Sequence, residues 1–222
     1  MERSDLQKTV AWILGVSVMI SGLVCGASSA YAADKVVVVP MGKSGPLASV
    51  AKTGQTTSYA AGDDGDLEKG VGMDSGRFVD NNNGTVTDKQ TGLIWLKDGQ
   101  CTAFYSADKT GTNNRPWWAA VDSANKLAGG FCGLTDGSIA GDWRLPNVNE
   151  LSSLIDHSRQ SPALPENCPL AGSTNVSEYY WSSTTDVGYD SFALGVYFVD
   201  GSFYSYDKLY GDWYVRCVRG GQ

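Results

Sequence analysis

Side chains able to do covalent or acid–base chemistry are scarce in this chain. His157 is the only histidine among 222 residues. It stands next to Asp156 and close to Glu150, either of which could orient an imidazole as a general base. A base needs a nucleophile, however, and the sequence contains neither a Gly-x-Ser-x-Gly elbow nor a His-Glu-x-x-His pair, so the common hydrolase arrangements lack their parts. His157 therefore reads as a surface or capping histidine, and no catalytic residue is assigned. Metal chemistry fares no better. One histidine and no close cysteine spacing leave the usual zinc sets incomplete. Two stretches gather hard oxygen donors, Gly62 to Gly65 with Asp66 and Glu68, and Asp80 to Asp88. In the second, Gly84 stands fifth from Asp80 where a calcium loop needs its glycine sixth, and no glutamate follows at the twelfth position. Calcium is thus unsupported by spacing, both stretches read as solvated loop or turn, and no cofactor is expected.

The cysteines point to structure. Residues 1–32 carry mixed charges, an apolar run from Val10 to Val24 and a small-residue ending Ala30-Tyr31-Ala32, the pattern of a secretory signal cleaved near Ala32. An uncleaved anchor and a lipoprotein acylated at Cys25 are the competing readings, the latter disfavoured by the bulky Val24 directly before the cysteine. Export leaves Cys101, Cys132, Cys168 and Cys217, an even number in an oxidising compartment, which predicts two disulfides. Three connectivities exist; Cys101 with Cys132, leaving Cys168 with Cys217, is favoured. The exported part keeps 15 basic and 22 acidic residues. Such a chain has no cationic cluster with which to displace counterions from phosphates, so nucleic-acid binding is set aside, and sulfated polysaccharides are disfavoured on the same ground.

Recognition chemistry is better supplied. Between Tyr179 and Tyr214, 18 of 36 residues are Tyr, Ser or Asp, including eight of the chain's eleven tyrosines. Tyrosine offers wide contact area at low entropy cost and serine offers adaptable hydrogen bonds, the palette of a binding surface. The candidates in turns and flanks are Tyr189, Asp190, Tyr204, Tyr206, Asp207, Tyr210, Asp212 and Trp213. Strand alternation puts Tyr204 and Tyr206 on one face; if Phe203 faces the core, they face solvent. The alternative is that half of the tyrosines pack the sheet and keep only a polar tip at its rim.

The elements that must carry these residues can be read in order. Lys35 to Pro40 is a β-branched run that could pair with another copy of itself, so oligomerisation is left open. Residues 33–75 as a whole read as a linker or stalk before a domain spanning 76–222. Phe78 to Asp80 and Thr85 to Asp88 flank Asn83-Gly84 as a hairpin, and Leu93 to Leu96 is a buried-strand candidate. Pro116 at a first helical position opens a helix bearing Trp117, Val121, Ala124 and Ala128, stopped by Gly129-Gly130. Asn147 with Glu150 forms a capping box for a second helix whose apolar face holds Val148, Leu151, Leu154 and Ile155. Strands are then expected over Tyr179–Ser183, Phe192–Val199, Ser202–Tyr206 and Trp213–Arg219, with Asp200-Gly201 as a hairpin turn.

Four separated motifs, Arg77 to Trp95 (RFVDNNNGTVTDKQTGLIW), Cys132 to Leu145 (CGLTDGSIAGDWRL), Tyr180 to Thr184 (YWSST) and Tyr214 to Gly221 (YVRCVRGG), resemble the Legionella collagen-like protein C-terminal domain family. The resemblance implies an α+β, C-type lectin-like fold with two helices, a small twisted antiparallel sheet and a loop-rich half. It also implies an exported protein of the periplasm, cell surface or medium; the family's named member is a trimeric adhesin for sulfated glycosaminoglycans. This chain departs from that member in having no Gly-x-y repeat, and it lacks the Glu-Pro-Asn and Trp-Asn-Asp tripeptides of classical lectins. The expected function is adhesin-like binding of an extracellular glycan or protein, without a stable membrane span after signal cleavage. A structural component of an envelope or appendage is the second reading, and an oxidative enzyme of the formylglycine-generating type the third.

Overall fold

The computed structural model describes residues 50–73, 76–166, 168–173 and 178–220. The leader and the strand expected over residues 35–40 lie outside them. The first described stretch, expected as linker, folds back on itself through a parallel bridge between Ala51 and Val71. It contains a one-turn helix, α1 (Asp64–Leu67), whose start is capped by Asp63. The acidic run thus spends a carboxylate on helix capping: Asp63 accepts from the Asp66 amide, a donor otherwise unpaired at the helix start, and from the amides of Tyr59 and Ala60 in the turn before it.

The Asn-Gly hairpin forms as expected, with β1 (Phe78–Asp80) against β2 (Thr85–Asp88), and β3 (Leu93–Leu96) follows as the buried strand. Helix α2 (Trp117–Lys126) begins one residue later than expected, with Pro116 at the N-cap position. Helix α3 (Val148–Ser152) has the capping box of Asn147 and Glu150 in full. It is only five residues long, so Leu154 and Ile155 reach the core from the turn beyond it. After a 3-10 turn at Ala171–Ser173 come β4 (Tyr179–Asp186), β5 (Tyr189–Tyr197), β6 (Phe203–Asp207) and the short β7 (Val218–Gly220). The expected final strand is mostly a bridging segment, with β7 its only ladder.

In place of one small sheet with two helices, the described residues form two antiparallel sheets, β1-β2-β3-β7 and β4-β5-β6, and three short α-helices. The extra sheet arises because the chain from Trp213 to Val218 serves both. Tyr214 exchanges backbone hydrogen bonds with Tyr179 and Trp181 of β4, and Val218 then pairs with Trp95 and with Arg144. The first sheet separates two apolar clusters, because successive side chains on a strand point to opposite faces. Leu96 and Cys217 join Trp117, Leu127, Trp143 and Trp181 on one side. Leu93, Trp95 and Val218 join Leu151, Leu154, Leu164 and Cys168 on the other.

That separation corrects the cysteine pairing. Cys101 and Cys132 form a disulfide, but Cys168 and Cys217 are buried free thiols. The pleat directs Cys217 into one cluster and Cys168 occupies the other, while a disulfide needs its two Cβ atoms about 3.5–4.5 Å apart and facing.

Candidate functional site

The second sheet carries the candidate residues, and its register assigns them to faces. Tyr179 pairs with Tyr197, Trp181 with Gly195, Gly195 with Tyr204, and Ala193 with Tyr206. Cross-strand partners share a face, so Tyr179, Trp181, Tyr197, Tyr204 and Tyr206 line one surface around two small residues, Ala193 and Gly195. Trp213 lies down on that gap. A Cβ on Gly195 would sit 2.4 Å from Trp213 Cζ3, and a Cβ on Gly211 would sit 2.6 Å from Trp181 Cζ2 and 2.9 Å from Tyr206 Cδ1. Both glycines are therefore required by the close approach of rings.

The result is a continuous aromatic layer. Tyr179 stacks on Tyr197 at 4.3 Å and on Trp213 at 5.0 Å, and Trp213 lies 4.2 Å from Trp181 and 5.7 Å from Tyr206. Tyr204 meets Tyr179 edge-on at 4.9 Å. Such offset and edge contacts are the favoured ring geometries and fix the rings in place. Desolvation pushes the Tyr179 phenol upward, reinforced by the neighbouring Tyr204 and Tyr197 hydroxyls and by Asp200. Phenol groups and a carboxylate therefore converge at one edge of the layer.

Helix α2 braces the sheet from below its start. Trp117 Nε1 donates to the Ser182 carbonyl at 2.8 Å and Trp181 Nε1 to the Arg115 carbonyl at 2.9 Å. Lys208, buried, donates through Nζ to Thr185 Oγ1 and to the Asp190 carbonyl, and lies 4.6 Å over Trp117 and 5.6 Å from Trp118. The ammonium is thus held by oxygen dipoles and ring faces. The Trp143-Arg144 signature supports the other end: Trp143 Nε1 donates to Ser138 Oγ, and Arg144 forks onto both oxygens of Glu150 at 2.7 Å while its backbone pairs with Val218.

The expected site residues separate into two groups. Tyr204 and Tyr206 are 43% and 47% exposed within the layer, and Tyr189 and Tyr210 stand further out at 68% and 80%. Asp190 and Asp212 are exposed. Asp207 is half-buried and accepts from the Leu209 amide, shaping the turn after β6. Trp213 is buried and supports the surface from within. Phe203 is exposed too, because β6 is an edge strand that the core covers on neither face. Of the eight tyrosines between 179 and 214, Tyr180 is core and Tyr179, Tyr197 and Tyr214 are half-buried, so packing and presentation divide them evenly. Sequence reasoning missed Tyr179, Tyr197 and the exposed Trp118; the signal for the first two was their period-two spacing from Trp181 and Gly195, which face each other across the ladder.

His157 lies elsewhere. It borders a polar cleft of about 290 Å³ with Gln55, Thr56, Thr57, Tyr59 and Ser158. Its amide donates to the Thr53 carbonyl, while the Ser158 hydroxyl donates to Asp156 at 2.6 Å and so is not aligned on the imidazole. Among the described residues no group of three or more His, Cys, Asp or Glu side chains is placed to hold a metal ion. None of the described helices is long and apolar enough to cross a membrane.

Residues 84–219 match the model of the Lcl C-terminal domain family, and the chain belongs to that family. No curated protein matches it.

Proposed function

We propose that this member of the Lcl C-terminal domain family is an exported, adhesin-like binding module whose recognition face is the aromatic surface of β4, β5 and β6. One observation carries the reading: Tyr204 and Tyr206 remain nearly half exposed although Tyr179, Trp181 and Trp213 pack the layer beneath them. Rigid rings held with one face free lose little entropy when a partner covers them. They suit the apolar face of a sugar ring or an apolar patch on a protein. A purely structural role would have buried these tyrosines. The Asp residues beside them, Asp190, Asp207 and Asp212, supply acceptors at the rim.

The test is a glycan-array and surface-protein screen on the full-length protein, beside a variant with Tyr189, Tyr204, Tyr206 and Tyr210 all replaced by alanine. A specific hit lost in the variant at unchanged thermal stability supports the reading. A panel with no hit, or one whose hits survive in the variant, removes this face from consideration and leaves the envelope-component reading in its place.

A further inference from the structure

From Glu178 to Tyr214 the sequence holds six carboxylates and one basic residue, Lys208. That one cation is buried and spent on Thr185, the Asp190 carbonyl and the rings of α2. The second sheet and its loops therefore present Asp190, Asp200 and Asp212 to solvent with no exposed cation of their own. Such a surface attracts positive charge and repels sulfate and phosphate over roughly a Debye length, about 8 Å at physiological salt.

The edge of that sheet is open. Tyr197 donates to the Ser202 carbonyl and Lys208 donates to the Ser191 carbonyl, so in this antiparallel ladder the even-numbered positions of β6 turn their backbone toward β5. Phe203, Ser205 and Asp207 then point theirs outward. Among the described residues, the backbone groups of Phe203 and Ser205 on that outer edge have no partner. Both faces of the strand are exposed as well, and although the Gly211 amide donates to the outward carbonyl of Asp207 at the end of the strand, none of the described residues pairs with the edge at Phe203 and Ser205.

We infer that β6 accepts an extended basic polypeptide as an added strand, with its Lys or Arg side chains set over Tyr204 and Tyr206 and toward the aspartates. This rests on the aromatic surface being a binding face and names its partner class. Backbone pairing supplies register-independent affinity, and the charged and aromatic side chains supply selectivity. A second copy of the same edge is the poorer occupant. A second copy would bring the same anionic segment, six carboxylates with its one lysine buried, against itself.

The experiment uses the full-length protein and a peptide of alternating Lys and Thr, with an alternating Glu–Thr peptide and heparin as comparators. The Lys–Thr peptide binds and weakens with added salt, and the comparators do not bind. Amide hydrogen exchange over residues 203–207 slows on binding, and Ser205→Pro, which deletes an outward amide, weakens binding about tenfold. Exchange on the wild-type chain decides the matter if the proline variant is unfolded. Binding without protection at 203–207 overturns strand addition, and preference for heparin or the acidic peptide overturns the basic partner. If array hits depend on the tyrosines while the Lys–Thr peptide fails, this inference falls and the binding face stands; if neither binds, both fall.

Discussion

Replacing Gly195 with alanine tests the seating of Trp213 that makes the aromatic layer. The new methyl would lie 2.4 Å from Trp213 Cζ3, 2.7 Å from Cε3 and 2.5 Å from the Tyr180 carbonyl oxygen. The ring could swing aside, but the carbonyl belongs to the neighbouring strand and moves only with the ladder. Overpacking of this kind costs about 1–3 kcal/mol, and the backbone contact places this case at the upper end. Alanine recovers about 0.5–1 kcal/mol of backbone entropy relative to glycine, leaving a net loss of about 2–2.5 kcal/mol. For a domain of this size that lowers Tm by about 4–10 °C. Thermal unfolding by circular dichroism reads the loss, and near-ultraviolet dichroism reads displacement of the indole. Trp213→Leu relieves the ring clash, so the double variant is less destabilised than the sum of the singles by about 1 kcal/mol or more. A G195A protein with wild-type Tm and an unchanged aromatic signal would refute the packing of Trp213 over Gly195.

Three further outcomes follow from other parts of the fold. Burial alone would raise the Asp88 carboxyl, but the two Arg77 hydrogen bonds and charge, with Thr91 and the Gln90 amide, hold it below its ordinary value of 3.8. Its contribution is therefore present above that pH and lost as pH falls through the depressed value. Acid unfolding should set in below about pH 4, and Asp88→Asn should cost about 3–5 kcal/mol near neutrality while flattening the acid limb of a pH–stability curve; a neutral-pH Tm equal to wild type would count against the buried pair. Replacing Cys101 and Cys132 by alanine opens a loop with a sequence separation of 31 and should cost about 3–4 kcal/mol by denaturant titration, a loss under 1 kcal/mol contradicting it. Burial pushes the Cys168 and Cys217 thiols up, so in a chain with Cys25 replaced by serine a thiol reagent should label neither when folded and both when denatured.

Local signals were legible in the sequence wherever a side chain answers to its own neighbours. Asn147 and Glu150 specify their capping box within four residues, and Asn83-Gly84 specifies its hairpin in the same way. The buried β3 strand also needed little beyond spacing, while Cys101–Cys132 was the favoured member of three connectivities that the count alone left open. What could not be read depends on which strands become neighbours. Cys168 and Cys217 looked like a pair by count, and only the sheet between their clusters separates them. Trp213 looked like a surface anchor because its flanks are polar, and only the register that sets Gly195 opposite Trp181 and Tyr204 reveals the gap it fills. Alternation alone left open whether Phe203 or the Tyr204–Tyr206 pair faces the core, and on this edge strand all three are exposed, the tyrosines against the aromatic layer.

The same long-range geometry changes what the composition means. Counted along the chain, Lys208 offsets one of the carboxylates around it. In the fold it leaves the surface altogether, because Trp117 and Trp118 at the start of α2 lie across the turn that carries it. One ammonium thereby ties helix to sheet, and its withdrawal leaves the aspartates nearby without a cation from their own segment. Net charge along the segment underestimates how anionic its surface is. On the proposed reading this bears on partners: an aromatic layer bordered by both signs of charge would tolerate many, whereas one bordered by aspartate would select against sulfate and phosphate and favour neutral or basic ones. The lysine that steadies the sheet from inside thus shapes, by its burial, the charge that the outside presents.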